Sequence, residues 1–249
     1  PDYQIVRGML GFASRARSTG ILNTLLNIRI RQLRKIIRRE GCEAVVACTG
    51  DLFDPPAAYH VSRSLGIPYI LYAFDHYSHQ WMPPLLHAFA QKHERQLVPG
   101  AAEVIVPNEF LGREYRRAYG VEATVLHNPC DLSRYEADPG FNGTERKRET
   151  TILYTGAIYE AHYDAFQNLV NALESLGRPE IHLHIYTPQS ESRLRANGIS
   201  GDFVTYHQNQ PIFTMPEIQQ KADILFLPLA FNSPYPEIVK TASPGKLGE

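Results

Sequence analysis

Cysteine is scarce in this chain: Cys42, Cys48 and Cys130 are odd in number and far apart. That excludes a disulfide scaffold and fits a reducing cytoplasm. No apolar run reaches the ~20 residues that cross a bilayer as a helix. The formal net charge is only −1, so bulk charge gives no sign of a nucleic-acid partner. No Asp-x-Asp occurs, which leaves a metal-bridged diphosphate without an obvious ligand set. No Gly-x-Gly-x-x-Gly follows any apolar run, which weakens a dehydrogenase reading. Tandem repeats and low-complexity tracts are absent as well. What is present is an ordinary globular composition, 43% hydrophobic and 20% charged, long enough for one large or two medium domains.

Residues 1–20 read as irregular. Leu22, Leu25, Leu26, Leu33, Ile36 and Ile37 then recur at helical spacing, so residues 22–39 are expected to form an amphipathic helix that Gly41 ends. Arg31, Arg34, Lys35, Arg38 and Arg39 crowd its other side. Residues 1–44 hold nine basic and three acidic side chains. Two readings stand: a solvated helix face, or a surface from Leu22 to Arg39 for anionic lipid headgroups.

Short apolar strands and helical stretches then alternate. Strands are expected at 43–49, 67–74, 102–106 and 121–126, with helices at 58–65 and 82–97 and from Asn108 to Tyr119. Residues 51–57, with two prolines, read as a loop. Residues 131–150 are polar, charged and turn-rich, the composition of a linker, with Asn142-Gly143-Thr144 as a turn. A second series follows, with strands at 151–155, 181–186, 204–207 and 224–229. Its helices are placed at 164–176 and 190–196, with a short one within 211–221. Such alternation means βαβ units and a mainly parallel α/β sheet in each half. Right-handed crossovers bring the strand-end loops to one edge.

The last stretch carries the chemistry. The strand at 224–229 runs into a loop of Pro, Ser and Asn, and Ser243-Pro244-Gly245-Lys246 reads as a helix start. Ser caps free amides and Pro suits the first helical position. A helix start beyond a strand's carboxyl end is a place to hold phosphate, and Lys246 adds a point charge there. Glu249 follows about one turn later.

These pieces resemble the GT-B nucleotide-sugar glycosyltransferases, in particular the retaining family-four group. VIVPNEFLGREYRRAYGVEATVLHNPCDLSRY resembles the end of that family's first domain. ILYTGAIYEAHYDAFQNLVNAL resembles the opening of its second domain. ADILFLPL followed by SPGKLGE resembles its donor-binding segment. The resemblance covers the chain from about Glu43 onward and is more specific in the second half. It implies two Rossmann-like domains facing each other across a cleft, both incomplete here. Residues 1–130 would be the acceptor-side domain, 131–150 the linker and 151–249 the donor-binding domain. The family's first strand and Gly-rich loop would lie upstream of Pro1, and both ends of the chain read as cut.

The resemblance also implies a reaction. A sugar passes from a nucleotide-diphosphate sugar to a hydroxyl of a carbohydrate or lipid-linked acceptor, with retention and without a metal or other cofactor. Charge on the departing diphosphate needs stabilising. The amides at Ser243 and Gly245 and the Lys246 ammonium suit that task, and Gly156 suits close backbone approach to a phosphate. Glu249 suits the ribose, since a carboxylate accepts two hydroxyl hydrogen bonds. Asp75 and His76 end a strand, where the family has a sugar-contacting polar residue. They are the catalytic candidates. His79, His87 and His93 match no metal spacing and read as surface helix residues. His182 and His184 read as a partly buried sheet face, and Trp81 as packing.

Two departures from the family stand out. Many members carry two Glu residues separated by seven others, and counting back from Glu249 gives Thr241. Many also place Arg and Lys in the turn after the second domain's first strand, where residues 156–164 have neither. Three rivals stay open. One is a nucleotide-sugar epimerase, or a phosphorylase, on the same fold, the latter disfavoured by the lack of a pyridoxal lysine signature. The others are a non-catalytic nucleotide-sugar binding module and, third, a dehydrogenase.

Overall fold

The computed structural model describes residues 18–135 and 149–245. The expected turn at Asn142-Gly143-Thr144, most of the linker, and both Lys246 and Glu249 lie outside the described residues. The chain folds as two compact units, each around its own apolar core. The first holds the described residues up to Asn128 together with Lys240–Ser243. The second runs from Pro129 to Val239 and resumes at Pro244.

The first unit opens with helix α1, Thr19–Glu40. Leu22, Leu26 and Ile37 are buried along it, and each fully buried leucine contributes roughly 1.5–3 kcal/mol. Gly41 closes the helix in the left-handed region at φ 63°, with its amide on the Ile37 carbonyl. Strands β1 (Val45–Cys48), β2 (Tyr69–Tyr72), β3 (Glu103–Val106) and β4 (Thr124–Val125) form a parallel sheet in that order. Helices α2 (Asp54–Leu65), α3 (Pro84–Leu97) and α4 (Glu109–Tyr119) are its crossovers. The core joins Leu22 and Leu26 of α1, Leu71 of β2, Leu86 and Phe89 of α3, Val104 of β3 and Leu111 of α4.

Helix α2 starts earlier than its prolines led us to expect. Pro55 and Pro56 sit in its first turn, where no amide donor is needed. An Asp51 carboxylate oxygen accepts from the Phe53 and Asp54 amides at 2.7 and 2.9 Å and caps the start.

The second unit has parallel strands β5 (Thr150–Thr155), β6 (Ile181–Thr187), β7 (Val204–Gln208) and β8 (Ile224–Leu225), in the order β7-β6-β5-β8. Helix α5 (Tyr163–Leu176) follows β5, α6 (Glu191–Ala196) follows β6, and α7 (Met215–Gln220) follows β7. Phe166, Val170 and Leu173 of α5 meet Leu183 and Ile185 of β6 in its core. Strand β8 is shorter than the apolar run suggested. Helix α8 (Pro236–Thr241) occupies a stretch expected to be loop. Its start shares with the stretch at Ser243 a proline in the first turn, and it adds Glu237 behind that proline and Lys240 in the last turn.

Among the described strands, β1 and β8 are outermost in their sheets, and Val46, Ile224 and Leu225 on them are exposed.

Candidate functional site

All strands of the first unit are parallel, so their carboxyl ends share one edge. Thr49, the turn 73–80, Pro107-Asn108 and Leu126-His127-Asn128 lie along it. The Asp75-His76 turn is fixed from two sides. The Thr49 hydroxyl accepts the Phe74 amide at 2.9 Å. Ser78 donates its amide to the Glu94 carboxylate at 3.2 Å, while its carbonyl accepts Nδ1–H of His87 at 2.9 Å. The phenol of Tyr77 donates to the Leu52 carbonyl.

The turn separates the two catalytic candidates. Asp75 is exposed, though the protein around its carboxyl raises its pKa above the ordinary value. His76 points inward and is only 7% exposed. Its Nε2 lies 3.6 Å from Glu94, and its ring meets His79 and Tyr115 edge-on. Glu94 itself is 1% exposed, and burial raises its pKa against the pull of hydrogen bonds from Ser78 and Tyr119. Sequence reasoning missed Glu94. The signal was its place on the apolar stripe of α3, four residues after Ala90 and eight after Leu86.

The neighbouring histidines correct our expectation of a solvated surface. His79 and His87 are half-buried and His93 is buried. Burial, with the nearby His60 and Lys92 charges, pushes the His93 pKa down to about 4. His93 shares the stripe of Phe89 and Leu97, which takes it inside.

The stretch read as the donor-binding turn begins on this edge. Asn108 uses its whole amide: Oδ1 accepts the Leu111 amide at 2.9 Å and caps α4. Its Nδ2 donates to the Thr241 and Ala242 carbonyls, both at 3.0 Å. Asn128 Nδ2 donates to the Ser243 carbonyl at 3.0 Å. Lys240 reaches Glu114 at 2.8 Å, and hydrogen bonds from Arg117 and then Lys240 hold that carboxyl at a pKa of about 2. Thr241 is 2% exposed, so the position where many family members carry Glu is an interior one here. Gly245 is exposed, with nothing within 4 Å of where a Cβ would lie.

In the second unit Gly156 ends β5 at φ 123°, a conformation that favours glycine, and its amide donates to the Tyr186 carbonyl at 2.7 Å. Gln189 Oε1 accepts the Ile158 amide at 3.0 Å, and the Ala161 carbonyl accepts the Ala230 amide at 2.8 Å. Asp164 accepts the Phe231 and Asn232 amides at 3.0 and 2.6 Å, tying the loop after β8 to the start of α5. On the β6–β7 face, His184 hydrogen-bonds His207 at 3.0 Å and Glu149 at 3.2 Å. Among the described residues no cluster of three or more His, Cys, Asp or Glu is arranged to hold a metal ion.

Two parallel α/β units with their polar residues at strand ends define the class, and comparison with known proteins is consistent with it. Residues 13–134 match the family model described as Glycosyltransferase Family 4. The match falls on the first half, where the sequence resemblance was less specific. A glycosyltransferase from Rickettsia africae shares 10% identity over 81% of this chain and 55% of its own, with a TM-score of 0.57. Sucrose-phosphate synthase from Thermosynechococcus elongatus shares 13% over 81% and 55%, at 0.59. Anabaena HepE in complex with UDP shares 12% over 82% and 58%, at 0.57. At such identities the likeness is one of fold, and the chain spans little more than half the length of these structures. No curated protein sequence matches it. The chain has the GT-B fold, and within it residues 13–134 are similar to the family-four glycosyltransferases.

Proposed function

We propose that this chain belongs to an enzyme that moves a sugar, with retention, from a nucleotide-diphosphate sugar to a hydroxyl of a carbohydrate or lipid-linked acceptor. Polysaccharide or glycoconjugate synthesis in the cytoplasm is the setting. The family-four match over residues 13–134 carries this reading. Its support on the donor side is that HepE, of the same fold, has been solved with UDP and with UDP-glucose. Asp75, exposed at a carboxyl edge, contacts the reacting sugar, with His76 behind it. Gly156 gives the diphosphate close backbone approach. The Ser243 and Gly245 backbone and Lys246 stabilise charge on the leaving diphosphate, and Glu249 binds the ribose. Residues 156–164 hold no Arg or Lys, so Lys246 carries more of that charge than one lysine among several would.

Incubating the full-length protein with labelled UDP- and GDP-sugars tests the reading. Turnover is expected; binding without turnover across both panels would replace the enzyme with a non-catalytic nucleotide-sugar binding module. Lys246→Ala should weaken nucleotide affinity about 10–100-fold, the loss of one charged hydrogen bond. Unchanged affinity would remove the diphosphate role.

A peripheral contact with anionic membrane is the second part of the proposal. It is favoured by one observation: Arg31, Lys35, Arg38 and Arg39 are exposed on α1 alongside Ile28 and Ile36, at 43% and 46% exposure. Each basic residue at a lipid surface contributes about 1 kcal/mol. Reversing Arg31, Lys35 and Arg39 to Glu should abolish salt-sensitive flotation with anionic vesicles. Equal flotation of the variant would return the helix to a plain solvated face.

A further inference from the structure

Glu94 is an expensive residue to place where it lies. An isolated carboxylate loses several kcal/mol of solvation on burial unless donors replace the water. Leu86 and Ala90 show that the same stripe of α3 accepts apolar side chains. Glu94 is met instead by groups from two places in the fold. The Ser78 amide comes from the turn after β2 at 3.2 Å. The Tyr119 and Tyr115 phenols come from α4 at 3.0 and 3.5 Å. His76 Nε2 stands at 3.6 Å, and the His76 ring rests edge-on against Tyr115, which itself touches Glu94.

Two clamps therefore bracket the Asp75-His76 pair. Thr49 holds the backbone on the near side, through Phe74 and Asp75. Glu94 holds it on the far side through Ser78 and also faces the His76 ring. A shift of the carboxylate would be felt by the His76 ring and by the Ser78 amide together, and from them by Asp75.

We propose that Glu94 is a positioning residue of the sugar site: it faces and orients the His76 imidazole and fixes the turn that presents Asp75. This rests on the reading of Asp75 and His76 as the reacting end. Glu94 touches neither substrate nor solvent and acts through the turn.

Glu94→Gln tests it. The amide keeps the volume and an acceptor oxygen for Ser78, so the variant should fold, as an unchanged melting midpoint will show. In full-length protein with 15N-labelled histidine, the ring resonances of His76 are identified by their loss in His76→Gln. In Glu94→Gln they should move, while those of His182 and His184 stay. The kcat for UDP-glucose or GDP-mannose, whichever is turned over, should fall about 100-fold, the effect of a displacement near 1 Å, with KM changed less than about threefold. Unmoved His76 resonances in the folded variant would overturn the proposal, and so would moved resonances with unchanged kcat. If the wild-type protein turns over neither sugar, the transfer reading is what fails, and the resonances alone still decide whether Glu94 orients His76.

Discussion

Asn108 has two separable jobs, and a pair of substitutions should divide them. Its Oδ1 caps α4, and its Nδ2 holds the Thr241 and Ala242 carbonyls. Asn108→Ala removes both. Losing an N-cap costs about 1 kcal/mol. Losing two hydrogen bonds in a buried setting costs about 1 kcal/mol each. The sum, about 3 kcal/mol, should lower the melting transition of the first unit by roughly 10 °C. Asn108→Asp keeps the cap, and its charge suits a helix N-terminus. It also sets an anionic oxygen against two carbonyls that previously received N–H groups. Hydrogen exchange read by mass spectrometry separates the outcomes. In Asn108→Asp the amides around residues 240–243 should exchange faster while the first turn of α4 stays protected. In Asn108→Ala both should lose protection. Wild-type exchange at 240–243 in both variants would refute the claim that Asn108 holds this segment.

Two further outcomes are expected. Glu114 has its folded pKa depressed to about 2 from 4.5, so its stabilising share is full above about pH 4.5 and is lost as pH falls toward about 2. Urea midpoints of the first unit at pH 6 and pH 3 should therefore differ less in Glu114→Gln than in wild type; an equal difference would count against the Lys240 and Arg117 pairing. A Cβ on Gly100 would lie 2.4 Å from the Tyr59 ring and 2.6 Å from the Gln96 carbonyl. Gly100→Ala should cost roughly 1–3 kcal/mol in the same denaturation, and an unchanged midpoint would refute that close approach.

The alternation of short apolar strands with amphipathic helices was enough to read two parallel α/β halves. Helix α1 was legible because its leucines recur at a helix's period. Element ends were less so, for local reasons. Pro55 and Pro56 looked like a loop because proline signals both turns and first helical turns; the Asp51 cap that decides between them is visible only in three dimensions. Helix α8 was passed over although its first-turn proline, Pro236, is a signal trusted eight residues later at Pro244. Asp75, His76 and Gly156 were singled out because strand ends are chemically special, and they do follow β2 and β5. Glu94 was overlooked because a carboxylate in a helix rich in polar residues reads as solvated. The attachment of Thr241 to Asn108 spans 133 positions, and no local pattern announces a contact of that separation.

The outermost strands bear on how this protein can be handled. Val46 on β1 and Ile224 and Leu225 on β8 present apolar side chains beside backbone groups at a sheet margin. Such margins recruit other strands, and natural proteins blunt them with charge. These exposed margins should favour self-association as the protein's concentration rises. Lysine at Val46 and Leu225 would act as gatekeepers, keeping it monodisperse long enough for its binding properties to be measured.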